Sequence, residues 1–216
     1  MLRVATILFG ISLLLCCISC EKDKRSSEYC INRISDKPAQ PLVNNEEMLI
    51  IKTLFGTNHL NYRNYQFYRL ETDQIGYQHA RCYQFVNGLK VFYNDLIFHF
   101  DPNGGFSSLS GNIIEEIPLG NNPSMRQNSI VAIFLAELSK DEYYKDNIEN
   151  LKAGCFDIEF GYYDLNTDMG IKDRSYTKAW KVTPKGTEYP VAFINDINSS
   201  VLYFFNGIIT MKKSAE

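Results

Sequence analysis

His79-Ala80-Arg81-Cys82-Tyr83-Gln84-Phe85-Val86-Asn87-Gly88-Leu89-Lys90-Val91 decides the fold, because it contains two β-forming runs joined by Asn-Gly. Asn-Gly tolerates the two positive φ angles of a two-residue type I′ turn, so it sets Val86 opposite Leu89. Counted outward in strict register, Phe85 faces Lys90, Tyr83 faces Phe92, His79 faces Leu96 and Tyr77 faces Phe98. This side is expected to be the core. The other side pairs Gln84 with Val91, Cys82 with Tyr93, Ala80 with Asp95 and Gln78 with Ile97, and it is expected to be the presented face. His99 falls on that second side.

Working outward, residues 64–72, 77–86, 89–100 and 106–113 read as strands separated by turn chemistry, including Asp101-Pro102-Asn103-Gly104-Gly105. Before them, Asn44 or Asn45 caps a helix. Glu46 and Glu47 suit its positive end, Met48, Ile51, Leu54 and Phe55 repeat at helical spacing, and Gly56 closes it. After a break at 118–123, Ser124 with Gln127 forms a capping-box pattern ahead of an apolar stripe of Ile130, Val131, Phe134 and Leu138. A second helical piece at 141–151 and strands at 155–165, 176–183, 188–195 and 200–205 follow. Helix then sheet thus occurs twice, and Phe98, Asp101 and Asn103 have the spacing of Phe193, Asp196 and Asn198. The reading is an α+β fold of two small units, 45–118 and 119–216, each a helix packed on an antiparallel sheet.

The amino-terminal segment is an address. Arg3 precedes an apolar run from Val4 to Ile18 that is short for a bilayer-crossing helix, so 1–19 read as a signal peptide. Cys17-Ile18-Ser19-Cys20 resembles a bacterial lipoprotein signal, which implies lipidation at Cys20. Glu21-Lys22-Asp23-Lys24 resembles the tag that carries lipoproteins of the Bacteroidetes group to the cell surface. An outer-membrane lipoprotein facing the periplasm or the exterior is expected. Residues 20–44 are polar, with Pro38 and Pro41, and read as a tether. Cys30, Cys82 and Cys155 are the candidates for a disulfide, and spacing does not choose the pair.

The chain has 216 residues, with 22 Lys and Arg against 25 Asp and Glu, and its charges are spread along it, so nothing suggests a nucleic-acid partner. None of the three histidines lies in a His-Glu-x-x-His helix, and no Ser sits in a Gly-x-Ser-x-Gly elbow. No catalytic residue, metal ligand or cofactor is assigned, and the expectation is a protein without enzymatic activity.

The opening stretch, followed by Leu96-Ile97-Phe98-His99-Phe100-Asp101 and then Gly104, Ser107 and Gly111, resembles the fungalysin/thermolysin propeptide domain. Ala179-Trp180-Lys181-Val182 and residues 189–207 resemble the PepSY domain that follows it in such propeptides. The resemblance implies that Arg81, Val91, Gly111 and Trp180 define the fold. Two roles stay open for Arg81: an internal anchor through a carboxylate such as Asp95, or contact with a partner. In that family the two domains fold with, and inhibit, the metallopeptidase that follows them. A freestanding module that holds a secreted peptidase or another envelope protein in trans is therefore expected. A competing resemblance is to cystatins, whose Gln-x-Val-x-Gly hairpin wedges into cysteine peptidases; it makes Gln84, Val86, Asn87 and Gly88 the partner-binding candidates. A third reading keeps the propeptide fold in a structural or ligand-binding surface lipoprotein.

Overall fold

A computed structural model describes residues 28–33, 41–166 and 174–208. The signal segment and Cys20 lie outside them.

Helix α1 (Asn45–Thr57) begins where the sequence places it: Asn44 accepts from the Glu47 amide and Glu47 accepts from the Asn44 amide, both at 2.9 Å. Gly56 does not stop it. Asn58 does, donating to the Leu54 and Gly104 carbonyls and accepting from the Phe106 amide, which ties the helix end to a distant turn. The strands that follow are β2 (Tyr65–Thr72), β3 (Gln78–Val86), β4 (Leu89–Phe100) and β5 (Phe106–Ser110). Then come α2 (Gln127–Leu138), a short 3-10 turn, α3 (Ile148–Lys152), β6 (Cys155–Asp164), β7 (Tyr176–Pro184), β8 (Val191–Asn195) and β9 (Val201–Phe205). The fold class is α+β, as expected, with a helix followed by a four-stranded antiparallel meander in each half.

The halves do not stand apart. Among the described residues one sheet runs β2-β3-β4-β6-β7-β8-β9, with β5 on β4, and the seam is a parallel pairing of Lys90 with Gly161 and Val91 with Tyr162. Val86, Leu89 and Val91 of the first half lie in the core beneath α2, together with Phe134, Phe160, Tyr162 and Trp180. A separate core beneath α1 holds Ile51, Phe55, Phe67, Ala80, Cys82, Leu96 and Phe98. A third cluster, Phe92, Tyr163, Ala179, Val191 and Phe193, lies on the other face of the second half.

The β3–β4 register departs from the strict count. Phe85 pairs with Lys90 as expected, but Tyr83, two residues back, pairs with Asp95, five residues on, so β4 carries three extra residues. An odd insertion inverts the faces of everything beyond it. His79 therefore opposes His99 rather than Leu96, while Ala80 opposes Phe98 and Cys82 opposes Leu96 in the core. On β3 the side expected to be presented, Ala80, Cys82 and Gln84, is the buried one, while Leu96 and Phe98 of β4 are buried as expected. Tyr93, at the bulge, has a φ of 58° and lies over the rings of Tyr163, Phe193 and Tyr203.

The expected tether also needs correction. Cys30–Arg33 forms β1, parallel to β6 along the edge that β4 leaves free, with Cys30 opposite and disulfide-bonded to Cys155. Cys82 is the buried free thiol, and burial raises its pKa.

The seam depends on glycine at 161. A Cβ there would stand 2.5 Å from the Lys90 carbonyl oxygen and 2.8 Å from the Phe92 ring. Since the carbonyl is held by strand pairing, Gly161→Ala is expected to cost about 2 kcal/mol by overpacking. A lowered urea midpoint at unchanged slope is the readout; an unchanged midpoint would mean that the seam yields.

Candidate functional site

Of the four residues expected to meet a partner, two are interior. Gln84 is 3% exposed; its amide donates to the Ile114 carbonyl at 2.7 Å, and its oxygen accepts from Ile114 N–H and the Asn94 side chain. It pins the β4 bulge to the strap that leaves β5. Val86 is buried in the α2 core. Asn87 and Gly88 form the exposed turn, with φ of 51° and 82°, as Asn-Gly predicts. That turn is nonetheless held down: the Asn87 side chain donates to the Ile117 carbonyl at 3.0 Å, and the Asn87 carbonyl accepts from Asn121. The hairpin is thus tied on one side to residues 117–121, with Asn87 and Gly88 exposed at its tip.

The four fold-defining positions have physical reasons. Arg81 pairs with Glu71 at 3.1 Å, Arg69 grips the second oxygen of Glu71, and the Arg81 charge also acts on Asp95. Val91 is buried at the seam. Gly111 has a φ of 97°, and a Cβ would stand 2.6 Å from the Asp95 carbonyl oxygen, so both backbone angle and space require glycine. Trp180 is buried, with its indole N–H donating to Asp196 at 2.8 Å.

Asp196 is the residue that sequence reasoning underrated, as it was visible only in the spacing echo with Asp101. Its side chain is enclosed, and its carboxylate also accepts the Ser124 and Met125 amides, at 2.8 to 3.1 Å, with the Lys178 ammonium 3.3 Å away. The expected capping box of Ser124 and Gln127 does not form: the residue before α2 is Arg126, and no side chain caps it. Asp196 organises that approach from across the sheet. Burial alone would raise its pKa, but the indole and amide donors outweigh this and hold it below the ordinary value.

Among the described residues the strand order ends at β2 on one side and at β9, Val201-Leu202-Tyr203-Phe204-Phe205, on the other. Strand β9 pairs with β8; its residues are half-buried and none is charged or proline. Edge strands usually carry charge, proline or a cover that blocks further pairing.

A family model, the Fungalysin/Thermolysin Propeptide Motif, matches residues 63–113. In the fold these are β2 to β5 and the turn through Gly111. No curated protein matches the chain. Among solved structures the chain is similar to the Bacillus megaterium YpeB C-terminal domain, at 11% identity and a TM-score of 0.38, over 79% of this chain and 67% of that one. The motif match gives the chain a propeptide-like module at residues 63–113.

Proposed function

We propose that this protein is a non-catalytic envelope lipoprotein, anchored through Cys20, whose propeptide-like module holds a secreted peptidase in trans. The observation that carries this reading is the propeptide motif at 63–113. The uncharged β9 edge favours a mode of contact: an extended segment of the peptidase adds as a further strand, its backbone supplying affinity and its side chains specificity.

The test is capture from the secreted and envelope proteins of the source organism on the immobilised chain, followed by peptidase assays on what is retained. Capture and inhibition of a metallopeptidase is the expected result. Leu202→Lys, which places a charge on the edge strand, is expected to reduce capture at least tenfold, while an equal loss on altering the Asn87-Gly88 turn instead would move the contact to the hairpin. Retention of glycan, or of no peptidase, would mean that the fold has been reused for another task.

A further inference from the structure

His79 and His99 were expected on opposite faces of the ribbon; the bulge in β4 brings them directly opposite each other on the open face. Their Nδ1 atoms are 2.7 Å apart. Each ring is held from behind, since His79 Nε2 lies 3.4 Å from Asp73 Oδ2 and His99 Nε2 lies 2.9 Å from Ser110 Oγ. The pair borders an open depression of about 240 Å³ between the β2–β3 turn and β5.

The donor arithmetic is informative. An ionised carboxylate only accepts, so His79 donates from Nε2 to Asp73 and presents a bare lone pair at Nδ1. The 2.7 Å separation is a hydrogen-bond distance, so in the metal-free pair His99 Nδ1–H donates to His79 Nδ1 and the Ser110 hydroxyl donates to His99 Nε2. A cation that takes both Nδ1 atoms moves that one proton to His99 Nε2, where Ser110 Oγ accepts it, and meets two imidazole nitrogens already facing each other. A histidine whose second nitrogen is fixed by a carboxylate or hydroxyl is the usual second shell of a metal-bound imidazole.

We propose that His79 and His99 form a two-imidazole chelate for a divalent transition metal that favours square-planar or tetragonal coordination, Cu(II) or Ni(II). With metal–nitrogen bonds of about 2.0 Å, a nitrogen separation of 2.7 Å subtends about 85° at the metal. That matches two adjacent corners of a square and is too narrow for a tetrahedral zinc site. Among the described residues no group of three or more His, Cys, Asp and Glu side chains could hold a metal, so the remaining positions go to water or to a donor from outside the chain.

The test uses the untagged full chain, titrated with Cu(II) and separately with Ni(II). One equivalent should bind saturably, and the Cu(II) paramagnetic resonance spectrum should show hyperfine coupling to two imidazole nitrogens. His79→Gln and His99→Gln should each weaken binding at least tenfold. Asp73→Asn, which removes only the outer partner, should weaken it by about ten- to a hundredfold. His59→Gln should leave it unchanged. The spectrum of the unaltered protein decides the matter even if a variant folds poorly. No saturable binding, a spectrum without two imidazole nitrogens, or binding indifferent to both His79 and His99 would overturn the assignment.

Discussion

Replacing both Cys30 and Cys155 by serine is expected to lower the stability of the protein by about 4–5 kcal/mol. The cross-link spans 125 residues, and the loss of chain entropy in the unfolded state that such a loop implies is about 5 kcal/mol at 25 °C. The native side offers little to replace it. β1 has four residues, mostly exposed, and is held by its ladder to β6, by the Asn32 amide donating to Asp157 at 2.7 Å, and by an edge contact of Tyr29 with Phe156. Without the covalent tie the ladder must pay its own ordering entropy, and β6 loses cover along half of one edge. Urea unfolding of the oxidised protein, the reduced protein and the double serine variant measures the effect. Reduced protein and variant should share one lowered midpoint. A midpoint that does not move on reduction would show that the tie adds nothing to the folded state. Cys82→Ala should differ in kind: this thiol lies in the α1 core, and its loss acts through packing, so reductant should shift the Cys82→Ala midpoint as much as that of the parent chain.

Asp196→Ala is expected to cost about 3–4 kcal/mol. The substitution leaves the Trp180 indole N–H and the Ser124 and Met125 amides without their acceptor, and it removes the ion pair of Lys178, which keeps its bond to the Asn122 carbonyl. Each unsatisfied buried donor carries a penalty of about 1–3 kcal/mol. The same network has a pH signature. The folded pKa of Asp196 is lowered, so its contribution is fully present above the unfolded value of about 3.9 and is lost as pH falls through the folded one. Asp164 has a shift of the same sign: burial opposes it, while the Arg174 guanidinium and the Asn166 and Ser175 amides produce it. Stability should therefore fall on acidification below about pH 4. In Asp196→Ala that acid limb should be shallower, with Asp164 supplying what remains. Thermal unfolding across the acid range checks this, and parallel curves for the two proteins would remove Asp196 from the pH response.

Much of the architecture was legible because its signals are local. The capping box at Asn44 and Glu47 and the Asn87-Gly88 turn each need only a few consecutive residues. The strand positions were likewise readable from aromatic and β-branched runs. The face assignment failed for a specific reason. The three extra residues in β4 are invisible to an alternation count, since Val91, Phe92 and Tyr93 look like ordinary strand residues. They bulge because Gln84 binds both Asn94 and the backbone at Ile114, and because Phe92 settles on Gly161. That single departure turned Gln84 from a surface candidate into an interior tie and placed two histidines face to face.

The sequence by itself determined where the helices and the strands from β2 onward form, the turn between β3 and β4, and the presence of a propeptide motif, since these follow from backbone preferences over a few neighbouring residues and from a motif within one stretch. Only the tertiary structure decided the register beyond the bulge and the choice of Cys155 for Cys30. It also assigned Asp196 as the acceptor beneath α2, paired β1 with β6 and set β9 at one end of the described strand order. Each of those depends on which distant segments meet, and the energies that select them, a shared core, a buried carboxylate with three donors and a loop closed over 125 residues, exist only once the chain has folded.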